Sequence, residues 1–323
     1  SEAAYGPFTS ADFSGHQTEV YQPISTTYRG IEVFETAPPS QGLIVLEWLN
    51  LLEGDDLRAM GFESAATIHL LIETKKLAFA DRVAHCGVTK STPKVVDILL
   101  SKDYAKKRRQ SVDLGRAVAI MPPGTLPEKN GDTSYFAIVD AQGNAISFIH
   151  SLSAGFGCGV IAGNTGIVMN NRAGRGFSLE KDHPNQIAPG KKTMHTLNCY
   201  MLCHNNRPWL VGGTPGGDRQ VQWNVQAITN LIDHGMGVDQ IVDAPSWISW
   251  PGGDPADINA PFELHMETRF SNTTTDTLKQ YGHALKAVGN YGIGSRHQLI
   301  SIDEAGIMRG ATDPRVPGVA IGI

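Results

Sequence analysis

Apolar residues along this chain fall into two periods, and their alternation predicts a mixed α/β fold. Ile68, Leu71, Ile72, Leu77 and Ala80 form one stripe at helical spacing, which predicts a helix over Ser64 to Ala84. Val221, Val225, Ile228 and Ile232 do the same for Arg219 to Asp233. Shorter helices are expected over Ile44 to Leu52, Asp103 to Gln110 and Thr275 to Gly282. Period-two or short apolar runs predict strands at Gly30 to Phe34, Thr133 to Val139, Ala145 to Ser151, Gly166 to Met169 and Thr196 to Cys203. Further strands are expected at Pro208 to Val211, Ala284 to Val288, Gln298 to Ile302 and Ile307 to Gly310. Tyr135, Ala137 and Val139 alternate with Phe136 and Ile138, and Gln142-Gly143-Asn144 then turns the chain, so the second and third of these strands read as a hairpin that opens on Thr133. Before it, Arg116 to Gly131 carries Pro122, Pro123, Gly124, Pro127 and Gly131, a composition that holds neither a helix nor a central strand and belongs at the surface.

Composition removes several classes of function. The 323 residues are 41% hydrophobic, enough for one large core or two modest ones. Lys and Arg number 27 against 32 Asp and Glu, a formal net charge of -5, which offers nucleic acid no basic surface. Lys102, Lys106, Lys107, Arg108 and Arg109 cluster locally and read as a solvated helix face. No apolar run reaches the length of a membrane span. Cys86, Cys158, Cys199 and Cys203 show no disulfide framework. Cys199, Cys203 and His204 raise the question of a metal, but they sit in an apolar strand-like stretch without a second pair, so burial is the expectation and no metal or cofactor is assigned. There are no internal repeats or low-complexity tracts.

A hydroxyl residue that opens a strand after an exposed irregular segment has a chemical reading as well as a structural one. If the chain is cut before Thr133, the new α-amino group titrates near pKa ~7.7–8 and takes the proton of the same residue's Oγ without a histidine or aspartate partner. The plain alternative is a β-branched residue at a strand edge. The second feature is Gly212-Gly213-Thr214-Pro215-Gly216-Gly217-Asp218, which leads into the Val221 stripe and places Gly216-Gly217 at or just before a helix start. Backbone N–H groups there point outward unpaired, as an oxyanion hole requires; a tight turn that needs positive φ is the other reading. A phosphate loop fits less well because no lysine follows the glycines.

Many short segments taken together resemble the gamma-glutamyltransferase family of N-terminal nucleophile hydrolases over almost the whole chain. In order they are Thr36-Ala37-Pro38-Pro39-Ser40-Gln41-Gly42, Tyr104-Ala105-Lys106, Asp132-Thr133-Ser134 with Val139-Asp140, Gly143-Asn144-Ala145, and Phe156-Gly157 with Gly159. Asn170-Asn171, Pro189-Gly190-Lys191-Lys192, Gly213-Thr214-Pro215-Gly216-Gly217, Gly294-Ser295 and Ala311-Thr312-Asp313-Pro314-Arg315 follow. Asn171-Arg172-Ala173-Gly174, Phe177-Ser178-Leu179, His183-Pro184-Asn185 and Met194-His195-Thr196 give the chain the look of members of the oxamate amidohydrolase type.

The resemblance implies a four-layer αββα sandwich, cleavage between Asp132 and Thr133, and Thr133 as the catalytic nucleophile. It implies that Ser151 stands where the family places a threonine bonded to the nucleophile, although a solvent-facing strand serine has the same pattern. It implies that Gly216 and Gly217 donate to the oxyanion and that Ser153, His195 and Thr196 lie on the substrate side. Segments 1–132 and 133–323 would be the last part of a large subunit and a small catalytic subunit of one domain, a heterodimer or a dimer of heterodimers. The part before Ser1 would include an arginine that grips the substrate carboxylate. With no initiating methionine and no signal peptide in view, both a bacterial cytoplasm and a periplasm stay open as the location.

The sequence departs from gamma-glutamyl enzymes after the Asn-Asn pair. Those enzymes hold the substrate's α-amino group with an acidic residue there, whereas Asn170 to Phe177 holds Arg172 and Arg175 and no carboxylate. Guanidinium repels an ammonium and grips a carboxylate, so the expected acyl group bears a carboxylate and no amino group, as in oxamate or a short dicarboxylic monoamide. Likewise, where the family has a pair of serines for the α-carboxylate, this chain has His195-Thr196. The competing reading of Arg172 and Arg175 is a solvated turn pair. Few residues separate Phe177 from Pro189, which predicts a site without a lid, open to water and to hydrolysis. Within the same chemistry a gamma-glutamyl hydrolase or transferase, or a beta-lactam side-chain acylase, is the second expectation; a noncatalytic binding relative is the third.

Overall fold

The computed structural model describes residues 11, 14–87, 92–119, 133–252 and 260–323. The first part of the chain gives β1 (Ile24–Tyr28), β2 (Ile31–Glu35), α1 (Gly42–Leu52), α2 (Leu57–Met60), α3 (Ala65–His85), α4 (Pro93–Leu99) and α5 (Lys102–Arg109). After it come β3 (Thr133–Val139), β4 (Ala145–Ser151), α6 (Arg172–Gly176), β5 (Tyr200–His204), β6 (Arg207–Gly213) and α7 (Arg219–Ile232). The last part gives α8 (Val238–Asp243), β7 (Trp247–Trp250), β8 (Glu263–Glu267), α9 (Asn272–Gln280), β9 (Leu285–Val288), β10 (Gln298–Ile302) and β11 (Met308–Thr312). The irregular stretch expected around Pro122, Pro123, Gly124, Pro127 and Gly131 lies outside the described residues, and so does Asp132.

The central layer is a six-stranded sheet of order β1-β2-β5-β6-β10-β11, every neighbouring pair antiparallel. Because side chains alternate across a strand, its two faces are read directly from the register. Leu210, Tyr200, Leu202, Val33 and Leu299 turn toward the helices and join one core cluster with α1, α3 and α7. Val211 and Gly213 turn to the opposite face, where the two-stranded hairpin β3-β4 lies; a Cβ on Gly213 would meet the Tyr135 ring at 2.5 Å. The observed order of layers is therefore helices, six-stranded sheet, hairpin. A third sheet, β7-β8-β9, has one antiparallel and one parallel pairing.

Helix α1 is buried along its whole length, and α3 over most of its own, so neither shows the one-sided stripe of a surface helix. Ser64 starts α3 by accepting the Thr67 N–H at 3.0 Å, one of the backbone donors a helix start leaves unpaired. Burying polar side chains in these helices requires partners or neutrality. Trp48 donates its indole N–H to Thr74 Oγ1 at 2.9 Å, while burial and the neighbouring Asp81 push the Glu47 carboxyl well above the usual carboxylate range, toward its neutral form.

Two expectations are corrected. The basic cluster on α5 is not a solvated face as a whole: Lys102 pairs with Glu53, Arg108 with Asp81 and Arg109 with Asp55, and while Lys102, Lys106 and Lys107 are exposed, Arg108 and Arg109 are half-buried. Gly166 to Met169 forms no strand, only an isolated bridge from Val168 to Ile161 beyond a turn at Gly163 and Gly166. No helix of the described residues is long and apolar enough to cross a membrane.

Three buried or half-buried histidines set an acid limit. Burial pushes His283 down to about 3 and His297 to about 4; burial, then Arg172 and Lys192, takes His195 to about 4. Unfolded histidine titrates near ~6.5, so the unfolded chain binds these protons first. Their contribution to stability is complete above about pH 6.5 and is lost as the pH falls toward about 4. The melting temperature is expected to drop progressively across that window, with a shallower slope in a His297→Gln variant; a flat profile from pH 6.5 to 4 contradicts it.

Candidate active site

The hairpin turn sets the site's first contact. Asp140 accepts the N–H groups of Gln142 and Asn144 at 2.9 and 2.8 Å, closing the turn so that seven cross-strand pairs follow in register from Val139↔Ala145 to Thr133↔Ser151. The two hydroxyl residues thus face each other at the open end, and Thr133 Oγ1 donates to Ser151 Oγ at 3.0 Å. Ser151 Oγ also accepts the Ser153 N–H at 2.9 Å. Thr133 is 8% exposed, so this strand end is covered rather than solvated.

From Ser153 the contacts continue into α6. Ser153 is buried, holds a left-handed backbone at φ 73, and accepts Arg175 Nη1 on its carbonyl at 2.9 Å. A non-glycine residue in that region carries strain of about 1–3 kcal/mol that its surroundings must sustain. The Leu152 carbonyl accepts the Asn171 N–H at 3.1 Å, setting α6 against the end of β4. Arg172 then reaches the next loop, where its Nη2 donates to Thr196 Oγ1 at 3.0 Å. Ser153 Oγ, Asn171 Oδ1 and His195 Nδ1 are buried without a hydrogen-bond partner, three polar atoms on the very segments this chain of contacts joins. His195 is neutral above about pH 4, so the positive charge it feels comes from Arg172 and Lys192.

The Gly216-Gly217 turn precedes α7, as its sequence predicts, with Asp218 at the N-cap. Gly216 has φ 140, and a Cβ there would lie 2.3 Å from Trp223, so no other residue fits; Gly217 has φ 59, in the left-handed region. Gln41 Nε2 donates to the carbonyls of Thr196 at 3.0 Å and Gly217 at 2.9 Å. Gln220, its amide turned to satisfy both ends, donates to the Thr196 carbonyl at 2.6 Å and accepts the Gly217 N–H at 3.2 Å. Arg82, 1% exposed, ion-pairs with Asp218 from α3. Hydrogen bonds therefore join Thr133, Ser151, Ser153 and Arg175 in one group, and Arg172, Thr196, Gln41 and Gly217 in another, with α6 common to both. Gln41, Gln220 and Arg82 carry no catalytic signal in the sequence; only Gln41 lies in a recognisable motif.

Metal-ligating residue types gather elsewhere. His69, Glu73 and His283 are buried together, but their atoms are engaged. His69 Nδ1 lies 2.7 Å from His283 Nε2 and His69 Nε2 lies 2.8 Å from the Asp113 carbonyl, while Glu73 accepts Lys76 at 2.6 Å and the Val118 N–H at 3.2 Å. Cys199 and Cys203 are half-buried rather than buried and His204 is exposed; the Cys199 thiol, pushed up to about 12 by burial and then by Glu35, donates to the Ser147 carbonyl.

With this geometry in view, the chain matches the model of the gamma-glutamyltranspeptidase family over residues 1–323. It is 37% identical to the glutathione hydrolase-like YwrD proenzyme of Bacillus subtilis, over 98% of this chain and 58% of that protein. It is 32% identical to the oxamate amidohydrolase proenzyme of Klebsiella pneumoniae, over 99% of this chain and 59% of that one. The solved cephalosporin acylase of Bacillus halodurans superposes with a TM-score of 0.84 at 33% identity, covering 97% of this chain and 55% of the other. The chain thus spans somewhat more than half the length of these relatives.

Proposed function

The chain belongs to the gamma-glutamyltranspeptidase family, and from that premise we propose an autoprocessed amidohydrolase in which Thr133 is both the cleaved residue and the nucleophile. The observation that carries the reading is the half-buried Thr133–Ser151 hydroxyl pair at 3.0 Å, at the strand end where a new amino terminus would arise. In the precursor, Thr133 Oγ adds to the Asp132 carbonyl, the peptide C–N bond breaks, and the leaving nitrogen takes the Oγ proton to become the free α-amine. Water then hydrolyses the resulting ester, freeing the Asp132 carboxylate and the Thr133 hydroxyl. The free amine next takes the Oγ proton as Oγ adds to a substrate amide; the leaving amine carries that proton away, and water releases the acyl group. Segments 1–132 and 133–323 would stay together as one domain, a heterodimer or a pair of heterodimers.

Ser151 orients the nucleophile, and the Gly216-Gly217 turn supplies the oxyanion donors. At that turn an oxyanion competes with Gln220 for the Gly217 N–H, a long bond that a charged acceptor displaces readily. A four-layer αββα sandwich adds one helical layer to the three described. Its seat is the hairpin's outward face, where Phe136, Ile138, Ile146 and Phe148 are 44%, 53%, 53% and 45% exposed and the two phenylalanine rings stack at 4.7 Å.

The substrate class rests on Arg172, Arg175, Ser153, His195 and Thr196. Two guanidinium groups and a neutral imidazole favour a carboxylate-bearing acyl group such as the oxalyl group of oxamate or that of a dicarboxylic monoamide. A gamma-glutamyl substrate, which the names of several relatives suggest, brings an ammonium into the same arginine pair. Kinetics with oxamate, a glutaryl amide and a gamma-glutamyl anilide separate the readings, and preference for the last overturns the carboxylate assignment. Arg172→Gln is expected to raise KM for the preferred carboxylated amide about tenfold to a hundredfold, the worth of one charge-assisted hydrogen bond. An unchanged KM contradicts it.

A further inference from the structure

The Pro38-Pro39-Ser40-Gln41-Gly42 segment takes no chemical part in the acyl-transfer reading, yet it reaches both sides of the site. Its backbone is laced to the His195 loop: Gln41 N–H donates to the His195 carbonyl at 3.1 Å, His195 N–H donates to the Pro39 carbonyl at 3.0 Å, and Ser40 and His195 form a parallel bridge. Gln41 itself is fully buried at the start of α1. A carboxamide nitrogen carries two hydrogens. Here one goes to the Thr196 carbonyl and the other to the Gly217 carbonyl. A single side chain thus joins the loop that anchors Arg172, through Thr196 Oγ1, to the turn proposed to hold the oxyanion.

We propose that Gln41 is a positioning residue that fixes the spacing between the carboxylate subsite and the oxyanion turn, and so selects short carboxylated acyl groups. The inference rests on the acyl-transfer reading above. In an acyl group such as oxalyl, the one that oxamate delivers, the carboxylate is bonded directly to the reacting carbonyl carbon. Both ends then have to be met at once by groups a fixed distance apart, and a small shift between the two loops costs one contact or the other. An acyl group without a carboxylate needs only the oxyanion turn and tolerates the shift. Since both Gln41 hydrogens are used on main-chain carbonyls, the shape of the residue alone does not replace it.

The test compares oxalyl and acetyl p-nitroanilides, which share one leaving group, in the wild type, Gln41→Met, Gln41→Glu and Thr133→Ala. Gln41→Met is expected to lower kcat/KM for the oxalyl compound about 100-fold, as misplacement of a reacting group by about an ångström does, and the acetyl compound less than tenfold. The oxalyl-to-acetyl ratio therefore falls at least tenfold, which a general loss of stability does not produce. Gln41→Glu sets a carboxylate against two carbonyls, and its deficit is expected to shrink as the pH is lowered from 8 to 5 and the acid regains a donor. If Gln41→Met does not fold, Gln41→Asn, which withdraws the amide by one methylene, gives the same ratio test. An unchanged ratio alongside turnover that Thr133→Ala abolishes overturns the inference alone. Turnover that survives Thr133→Ala overturns the acyl-transfer reading and the inference with it.

Discussion

Thr133→Ala is expected to reduce amide turnover by on the order of 10⁴ to 10⁶ while leaving the melting temperature within a few degrees of the wild type. The magnitude follows from removing a nucleophile whose partners act only through it, so that what remains is binding and oxyanion stabilisation without bond formation. Stability changes little because alanine keeps the strand backbone and its register with Ser151, losing one hydroxyl and one methyl at the end of β3. Thr133→Ser separates the hydroxyl from the rest of the side chain. It keeps Oγ in reach of Ser151 and is expected to retain most of the activity, within about tenfold. Kinetics of the three proteins on the best substrate of the panel check both statements. Loss in both variants would make the threonine's role one of packing.

Arg315→Ala is expected to cost about 3–5 kcal/mol of stability. Its guanidinium meets Glu267 through Nε at 2.7 Å and Nη2 at 3.0 Å, and Asp313 through Nη1 at 3.0 Å. It also donates to the carbonyls of Val242 and Ala244 at 3.0 and 2.8 Å. Side-chain exposure is 2% for Arg315 and 0% for both carboxylates, so truncation leaves two buried acids with less counter-charge; Arg269 still reaches Glu267, and Ser295 still donates to Asp313. A buried charge left without its partner is costly in a way an exposed one is not. Urea unfolding measures the change as a shift of the midpoint, and a loss below about 1 kcal/mol would show that the acids neutralise or rehydrate at little cost. The same network gives the Gly294-Ser295 and Ala311 to Arg315 motifs a structural meaning, since it clamps the chain after β11 to β8 and to the end of α8.

The hairpin was legible because its pattern is local. Alternating side chains and a Gly-Asn turn set β3 and β4 at the bounds the sequence predicts, and the register then follows by counting from the turn to Thr133 and Ser151. The α7 start after Gly216-Gly217 was legible for the same reason. Strand β1 was not: its residues alternate between half-buried and exposed at a sheet edge, with Ser25, Thr26 and Thr27 in place of an apolar run. Strands β7 and β8, the short helices α4 and α8, and α6 gave too few periodic positions to be read. The strand expected from Thr196 begins only at Tyr200, since Thr196 and Asn198 are held by hydrogen bonds from Gln41, Gln220 and Asn224 instead of a ladder. In the site, the hydroxyl pair and the glycine turn were visible as residue types in place. The bridging role of Gln41 was not, because it depends on two carbonyls more than 150 residues away in the chain.

The central claim is that Thr133 becomes an amino terminus by its own chemistry, and the intact mass of the freshly purified full-length protein under denaturing conditions tests it most directly. Two fragments that meet between Asp132 and Thr133, with the Thr133→Ala variant running as one uncut chain, are the predicted result. A single uncut chain in both proteins, or the same cleavage in both, would contradict it.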